Sequence, residues 1–140
     1  MNIRFSGVHV TLVISPTDLR GGFHRLCSLA QDQLGINLSS GKEAVVFLSK
    51  TRKICKIVTT DEKGTMLLTR TLHNGRFEEL MVRVGQQAKC SLTLSDLERF
   101  LNGERLYSKN PVYALLRAFT AIFLYLQALF IVYIQIANSF

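Results

Sequence analysis

The chain has 140 residues, with 17 Lys and Arg against 10 Asp and Glu, giving a formal net charge of +7. Hydrophobic residues make up 48%, with only 2 Pro and 9 Gly, which excludes a disordered, low-complexity or collagen-like chain. The length suits one domain with a tail, and the basic balance suits nucleic acid or an anionic membrane without choosing between them.

Met1 to Gly7 carries one charge and no long apolar run, so no secretory signal is read there. Val8, Val10, Leu12 and Ile14 alternate with His9, Thr11 and Val13, which predicts a first strand. Ser15-Pro-Thr-Asp18 ends it, with Thr17 or Asp18 as the cap of a following helix. Leu19, Phe23, Leu26, Ala30 and Leu34 share one face of that long helix, and Gly35 closes it. Gly21 and Gly22 would then fall in its first turns at a cost of about 1 kcal/mol each, a local conflict that marks close approach or function.

Three strand-like runs follow, Ala44 to Ser49, Ile54 to Thr59 and Thr65 to Arg70. Their short connections allow hairpins but no crossover helix, so antiparallel order is expected. The stretch Arg76 to Lys89 is ambiguous, with one more strand read around Glu79 to Val84. Ser95-Asp-Leu-Glu98 has the pattern of a capping box opening a short helix that Gly103 stops. The expected fold is α+β. A small, mostly antiparallel sheet of four to five strands carries one long helix after strand 1 and a short C-terminal helix, and a hydrophobic helical tail follows. Residues 1–104 form the domain, 105–111 a linker and 112–140 the tail.

Arg117 is the last charged residue, and Ala118 to Phe140 contains no Asp, Glu, Lys, Arg or His. As a helix this run is roughly 35 Å long, enough for a ~30 Å hydrocarbon core, and it reads as apolar on every face. Residues 118–136 would span a membrane. Arg105, Lys109 and Arg117 precede the span, so the body would stay cytoplasmic. The competing readings are a hydrophobic extension packed on the body or a partner, and a read-through product.

The carboxylates do not point to metal-ion catalysis. Asp96 and Glu98 are explained by helix initiation, Asp18 by a cap, and Asp61-Glu62 by a turn. No nucleophile elbow, phosphate loop or HExxH helix occurs, and His9, His24 and His73 are scattered. Cys27, Cys55 and Cys90 form no CxxC pair and read as reduced thiols of a cytoplasmic protein. No cofactor and no metal are expected, nor an enzyme. The cations say more. Lys50, Arg52, Lys53 and Lys56 cluster at a predicted hairpin tip, and Arg70 and Arg76 flank another turn, so both groups suit phosphate contact. A solvated turn that blunts edge pairing is the plainer explanation.

Ser15-Pro-Thr-Asp-Leu-Arg-Gly-Gly-Phe-His-Arg-Leu26 resembles the Pro-x-Asp-Met-Arg-Lys-Gly-x-x-x-Leu signature of TnpB accessory proteins, encoded by bacterial insertion sequences of the IS-sixty-six type. The likeness continues through Phe47-Leu-Ser-Lys50, Lys56-Ile-Val58, Asp61-Glu-Lys-Gly64, Arg70-Thr-Leu72, Gly75-Arg-Phe77, Leu94-Ser-Asp-Leu97 and Leu101-Asn-Gly103. Asp18, Arg20, Gly22, Leu26, Lys56, Gly75, Arg76 and Phe77 match directly. Gly21 stands where a lysine is expected, Ser49 where an asparagine is, and Thr59 and Thr60 where aromatics are usual. The charge-free tail lies outside the pattern. The resemblance implies a part in DNA transposition beside a separate, larger transposase, and not the RNA-guided nuclease that shares the TnpB name. The expected partners are that transposase and DNA, its terminal repeats included. Arg20, Lys50, Arg52, Lys53, Lys56, Arg70 and Arg76 would make the contacts, while Asp18, Gly22, Leu26, Gly75 and Phe77 would serve the structure. A small membrane-anchored protein with a basic cytoplasmic domain is the alternative.

Overall fold

A computed structural model describes residues 5–80, 89–106 and 111–139. The chain divides into two compact units, Met1–Leu106 and Tyr107–Phe140.

The first unit is an α+β domain on a five-stranded sheet. In chain order it has β1 (His9–Val13), α1 (Phe23–Leu34), a 3-10 turn (Leu38–Ser40), β2 (Glu43–Leu48), β3 (Ile54–Asp61), β4 (Gly64–Thr71), β5 (Lys89–Leu92) and α2 (Leu94–Leu101). The strand order is β4-β3-β2-β1-β5. β2, β3 and β4 form the antiparallel meander that their short connections predict.

The sheet as a whole is mixed, which corrects the expectation of mostly antiparallel order. β1 runs parallel to β2, with His9 beside Glu43 and Leu12 beside Val46. The link from β1 to β2 carries α1 and the 3-10 turn, long enough for the crossover that a parallel pair requires. β5 pairs antiparallel with β1 on its other side. The strand expected around Glu79 to Val84 is absent at Glu79 and Leu80, and the rest of that reading lies outside the described residues.

The helix after β1 is also shorter than expected. It has 12 residues and starts at Phe23, with Gly22 as an N-cap in extended conformation and no side-chain cap. Asp18 caps nothing in α1, because its carboxylate accepts the Arg20 backbone amide two residues on. Gly21 and Gly22 therefore stand outside the helix, and the helix-interior penalty never arises. In α2 the capping box is made by Thr93 and Asp96, two residues ahead of the pair read from the sequence.

Both faces of the sheet are covered, and the period of two assigns each side chain. Leu12, Val46, Leu48 and Ile57 pack with Phe77, Leu97, Phe100 and Leu106 on one face. Val13, Val45, Phe47 and Val58 pack against Leu26 and Ala30 of α1 on the other. Cys55 is fully buried in the first cluster, and burial pushes its thiol up to about 12. It stays protonated and behaves as a small apolar residue. Neither Cys27 nor Cys90 is in a disulfide.

The second unit holds α3 (Pro111–Asn138), 28 residues long. Within it Leu115–Asn138 has a mean hydropathy of 2.0 and is long and apolar enough to cross a membrane.

Candidate nucleic-acid interface

The parallel pairing of β1 and β2 puts both carboxyl ends at one end of the sheet. The segment after β1 and the turn after β2 therefore meet. The Thr17 amide donates to the Leu48 carbonyl at 2.7 Å and fixes the two against each other.

Asp18 and Arg20 form a closed unit there. Arg20 donates its Nε to Asp18 Oδ1 at 3.0 Å and its Nη2 to Oδ2 at 2.9 Å, and the Arg20 amide adds a third bond. The guanidinium bonds, then the amide, hold the Asp18 carboxyl well below its usual range. Asp18 raises the Arg20 pKa in return. The Arg20 side chain is 91% exposed, so Asp18 orients the guanidinium while Nη1 still faces outward, with no partner among the described residues.

Lys56, on β3, is turned inward. Its Nζ donates to the Leu19 carbonyl at 2.7 Å and pins the Asp18 turn to the sheet. Between them lies an open groove of about 460 Å³, lined by Thr17, Asp18, Arg20, Lys50, Lys56 and Thr69 among others.

The turn after β2 separates its cations into two kinds. Lys50 and Lys53 are exposed. Arg52 has a positive φ of 57°, and its amide donates to the Ser49 carbonyl at 2.9 Å. Its own carbonyl accepts the Phe77 amide at 2.7 Å. Its Nη1 donates to the Phe77 carbonyl at 3.3 Å, and its Nη2 pairs with Glu79 at 3.5 Å. With a side chain only 26% exposed, Arg52 bolts the turn to the 73–77 segment.

That segment brings Arg76, which is exposed, to the same end of the sheet. Gly75 supplies a turn at φ 75°, and Phe77 enters the core stacked on Phe100 at 5.0 Å between centroids. Leu26, on α1, is buried against the sheet. Arg70 is not part of the group: it shares the sheet face of its partner Cys55, in a cleft with Glu98 and Leu101.

One cation escaped the sequence reading. Arg25, in the first turn of α1, lies over Gly21 so closely that a Cβ on that glycine would stand 2.7 Å from the Arg25 Cβ. Its charge also lowers the Asp18 pKa. The space of the lysine expected at position 21 is thus taken by an arginine four residues on.

At the opposite end of the sheet, a cavity of about 530 Å³ is lined by His9, Glu43 and Ser91 among others. His9 joins Glu43 at 3.0 Å through Nδ1 and Ser91 at 3.1 Å through Nε2. Acid, imidazole and hydroxyl in that order have the connectivity of an acyl-transfer triad. Strand register accounts for it, since His9 lies beside Glu43, and Ser91 lies opposite Thr11 on β5. The His9 side chain is 57% exposed, so water screens the electrostatics such a site depends on; the chain is a cross-strand ladder. Among the described residues no group of three His, Cys, Asp or Glu is placed to hold a metal ion.

Comparison with curated proteins found no match, and comparison with solved structures found none. A family model does match, over residues 8–110, and its description is IS66 Orf2 like protein. That range takes in the Asp18 turn, the Lys50 turn, the Gly75-Arg-Phe77 segment and α2, and most of the chain: this protein belongs to the IS66 Orf2-like family of insertion-sequence-associated proteins.

Proposed function

We propose that this is a non-catalytic accessory protein of an insertion sequence, and that it assists transposition by binding DNA beside the separate transposase. The observation that carries the reading is the convergence of Arg20, Arg25, Lys50, Lys53 and Arg76 on one end of the sheet. Lys50, Lys53 and Arg76 follow the DNA backbone as point charges or forks, while Arg20, oriented by Asp18, offers Nη1 to a phosphate oxygen. Lys56 and Arg52 act through the fold by holding the two turns in place.

The test is binding of the full chain to the element's terminal repeats and to scrambled duplex across a salt series. Affinity for both that falls steeply with salt, with a preference for the repeats, is the expected result. Absence of binding to either duplex would shift the role to contact with the transposase.

The helix Leu115–Asn138 favours a second and compatible reading, a membrane anchor that keeps the basic domain on the cytoplasmic side. Full-length protein is then expected to pellet with membranes after carbonate washing, and protein truncated after Asn110 to be released. A carbonate-soluble full chain would sink the anchor.

A further inference from the structure

The tail helix differs around its axis in a way its overall hydropathy hides. At ~100° per residue, Arg117, Thr120, Gln127, Gln135 and Asn138 fall within an arc of about 80°. Apart from Tyr125 and Tyr133, these are all the charged and polar side chains between Leu115 and Asn138. Residues 117, 120, 124, 127, 131, 134 and 138 follow alternating steps of three and four, the seam of a left-handed helix pair, with Gln135 flanking it. The rest of the surface is Leu, Ile, Val, Phe and Ala with the two tyrosines, and it suits lipid.

The seam residues differ in what they need. Thr120 satisfies itself, donating its hydroxyl to the Leu116 carbonyl at 2.9 Å. Arg117 sits at the end of the span, where its long side chain reaches the headgroups. Gln127 lies near the middle of Leu115–Asn138, and Gln135 follows about 12 Å further along the axis. Among the described residues neither side-chain amide makes a hydrogen bond. Gln127 lies in hydrocarbon, where no water can supply one, whereas Gln135 lies one residue from the end of the 118–136 span, near the headgroups.

We propose that the helix pairs with the same helix of a second copy of this chain, in parallel, through the seam of Thr120, Leu124, Gln127, Ile131 and Ile134, with Gln135 at its edge. The inference rests on the membrane-anchor reading. A second copy fits because a primary amide is both donor and acceptor, so it complements itself across a two-fold axis. Anchors whose domains share one side of the membrane are parallel, which sets Gln127 against Gln127 at the core of the seam. Dimerisation would double the cationic surface presented to a DNA with two ends.

The test uses full-length protein, labelled at its amino terminus with a fluorescence donor or acceptor and reconstituted in phosphatidylcholine–phosphatidylglycerol vesicles. Wild type, Gln127→Leu/Gln135→Leu and the lipid-facing Leu126→Ala are compared, and carbonate extraction is run on the same vesicles. The expected result is energy transfer above random proximity for wild type and Leu126→Ala. In the double variant the protein-to-lipid ratio for half-maximal transfer should rise about tenfold. Wild type that resists carbonate yet transfers only at the random level would overturn pairing and leave the anchor intact. Wild type that carbonate extracts would overturn the anchor and pairing together. Undiminished transfer in a double variant that still inserts would remove the glutamines from the interface.

Discussion

Lys50→Glu/Lys53→Glu is expected to lower DNA affinity by about ten- to a hundredfold at physiological salt. The slope of log affinity against log salt should flatten by roughly 2, since each phosphate contact contributes about 0.9. Both side chains are exposed at the turn after β2, so reversal should leave stability within about 0.5 kcal/mol of wild type. Arg52, equally cationic, is the wrong residue to reverse. A glutamate there would lose the bond to the Phe77 carbonyl, confront Glu79, and confound binding with folding. Arg70→Glu serves as the control, because Arg70 projects from the opposite sheet face and should leave the salt slope nearly unchanged. Equal losses from Arg70→Glu and from the Lys50/Lys53 variant would mean that overall charge, and not the turn after β2, attracts DNA. An unaltered slope in the lysine variant would remove the turn from the interface.

The geometry behind this expectation depends on one pairing that local pattern does not encode. With β1 and β2 parallel, their carboxyl ends coincide, and Asp18-Leu-Arg20 meets Ser49-Lys50 across a groove. An antiparallel pair would have sent the two motifs to opposite ends. Short connections made the β2–β3–β4 meander legible, because a turn of a few residues leaves little choice of direction. The link from β1 to β2 carried the missing information in its length, enough for a crossover through α1.

The division of labour among the cations was likewise out of reach of charge counting. Lys50, Arg52, Lys53 and Lys56 form one cluster in sequence, yet Lys56 is spent on the Leu19 carbonyl and Arg52 on Phe77 and Glu79. Such assignments depend on which backbone carbonyls come within reach, a tertiary property. The start of α1 shows the same limit: the apolar face extends back to Leu19, but the Asp18 side chain takes the Arg20 amide first and Gly22 stays extended. What the sequence did carry was the strand meander, the apolar tail and the ordered motifs from Val8 to Gly103, which the family match over residues 8–110 takes in.

Phe77→Ala is expected to be among the most damaging single changes in the domain, although the residue lies in a motif next to Arg76. Its ring is 1% exposed and stacked on Phe100, with ring planes 20° apart. Truncating such a side chain costs about 3–5 kcal/mol through lost transfer energy and the cavity left behind. A domain of this size has roughly 5–15 kcal/mol in all, so the melting temperature should fall by about 15–35 °C. Phe77→Leu should restore more than half of the loss by refilling most of the volume. The Phe77 backbone exchanges hydrogen bonds with Arg52, so loosening the ring also loosens the turn that presents Lys50 and Lys53. Arg76→Glu is the counterpart. It should leave stability within about 0.5 kcal/mol and reduce DNA binding in a salt-dependent manner. Thermal melts and binding isotherms on the same preparations separate the two roles. At temperatures where Phe77→Ala is fully folded, its salt slope should equal that of wild type. A melting temperature within a few degrees of wild type would contradict a core role for Phe77. An altered slope in fully folded protein would mean that the ring also sets how the turn presents Lys50 and Lys53.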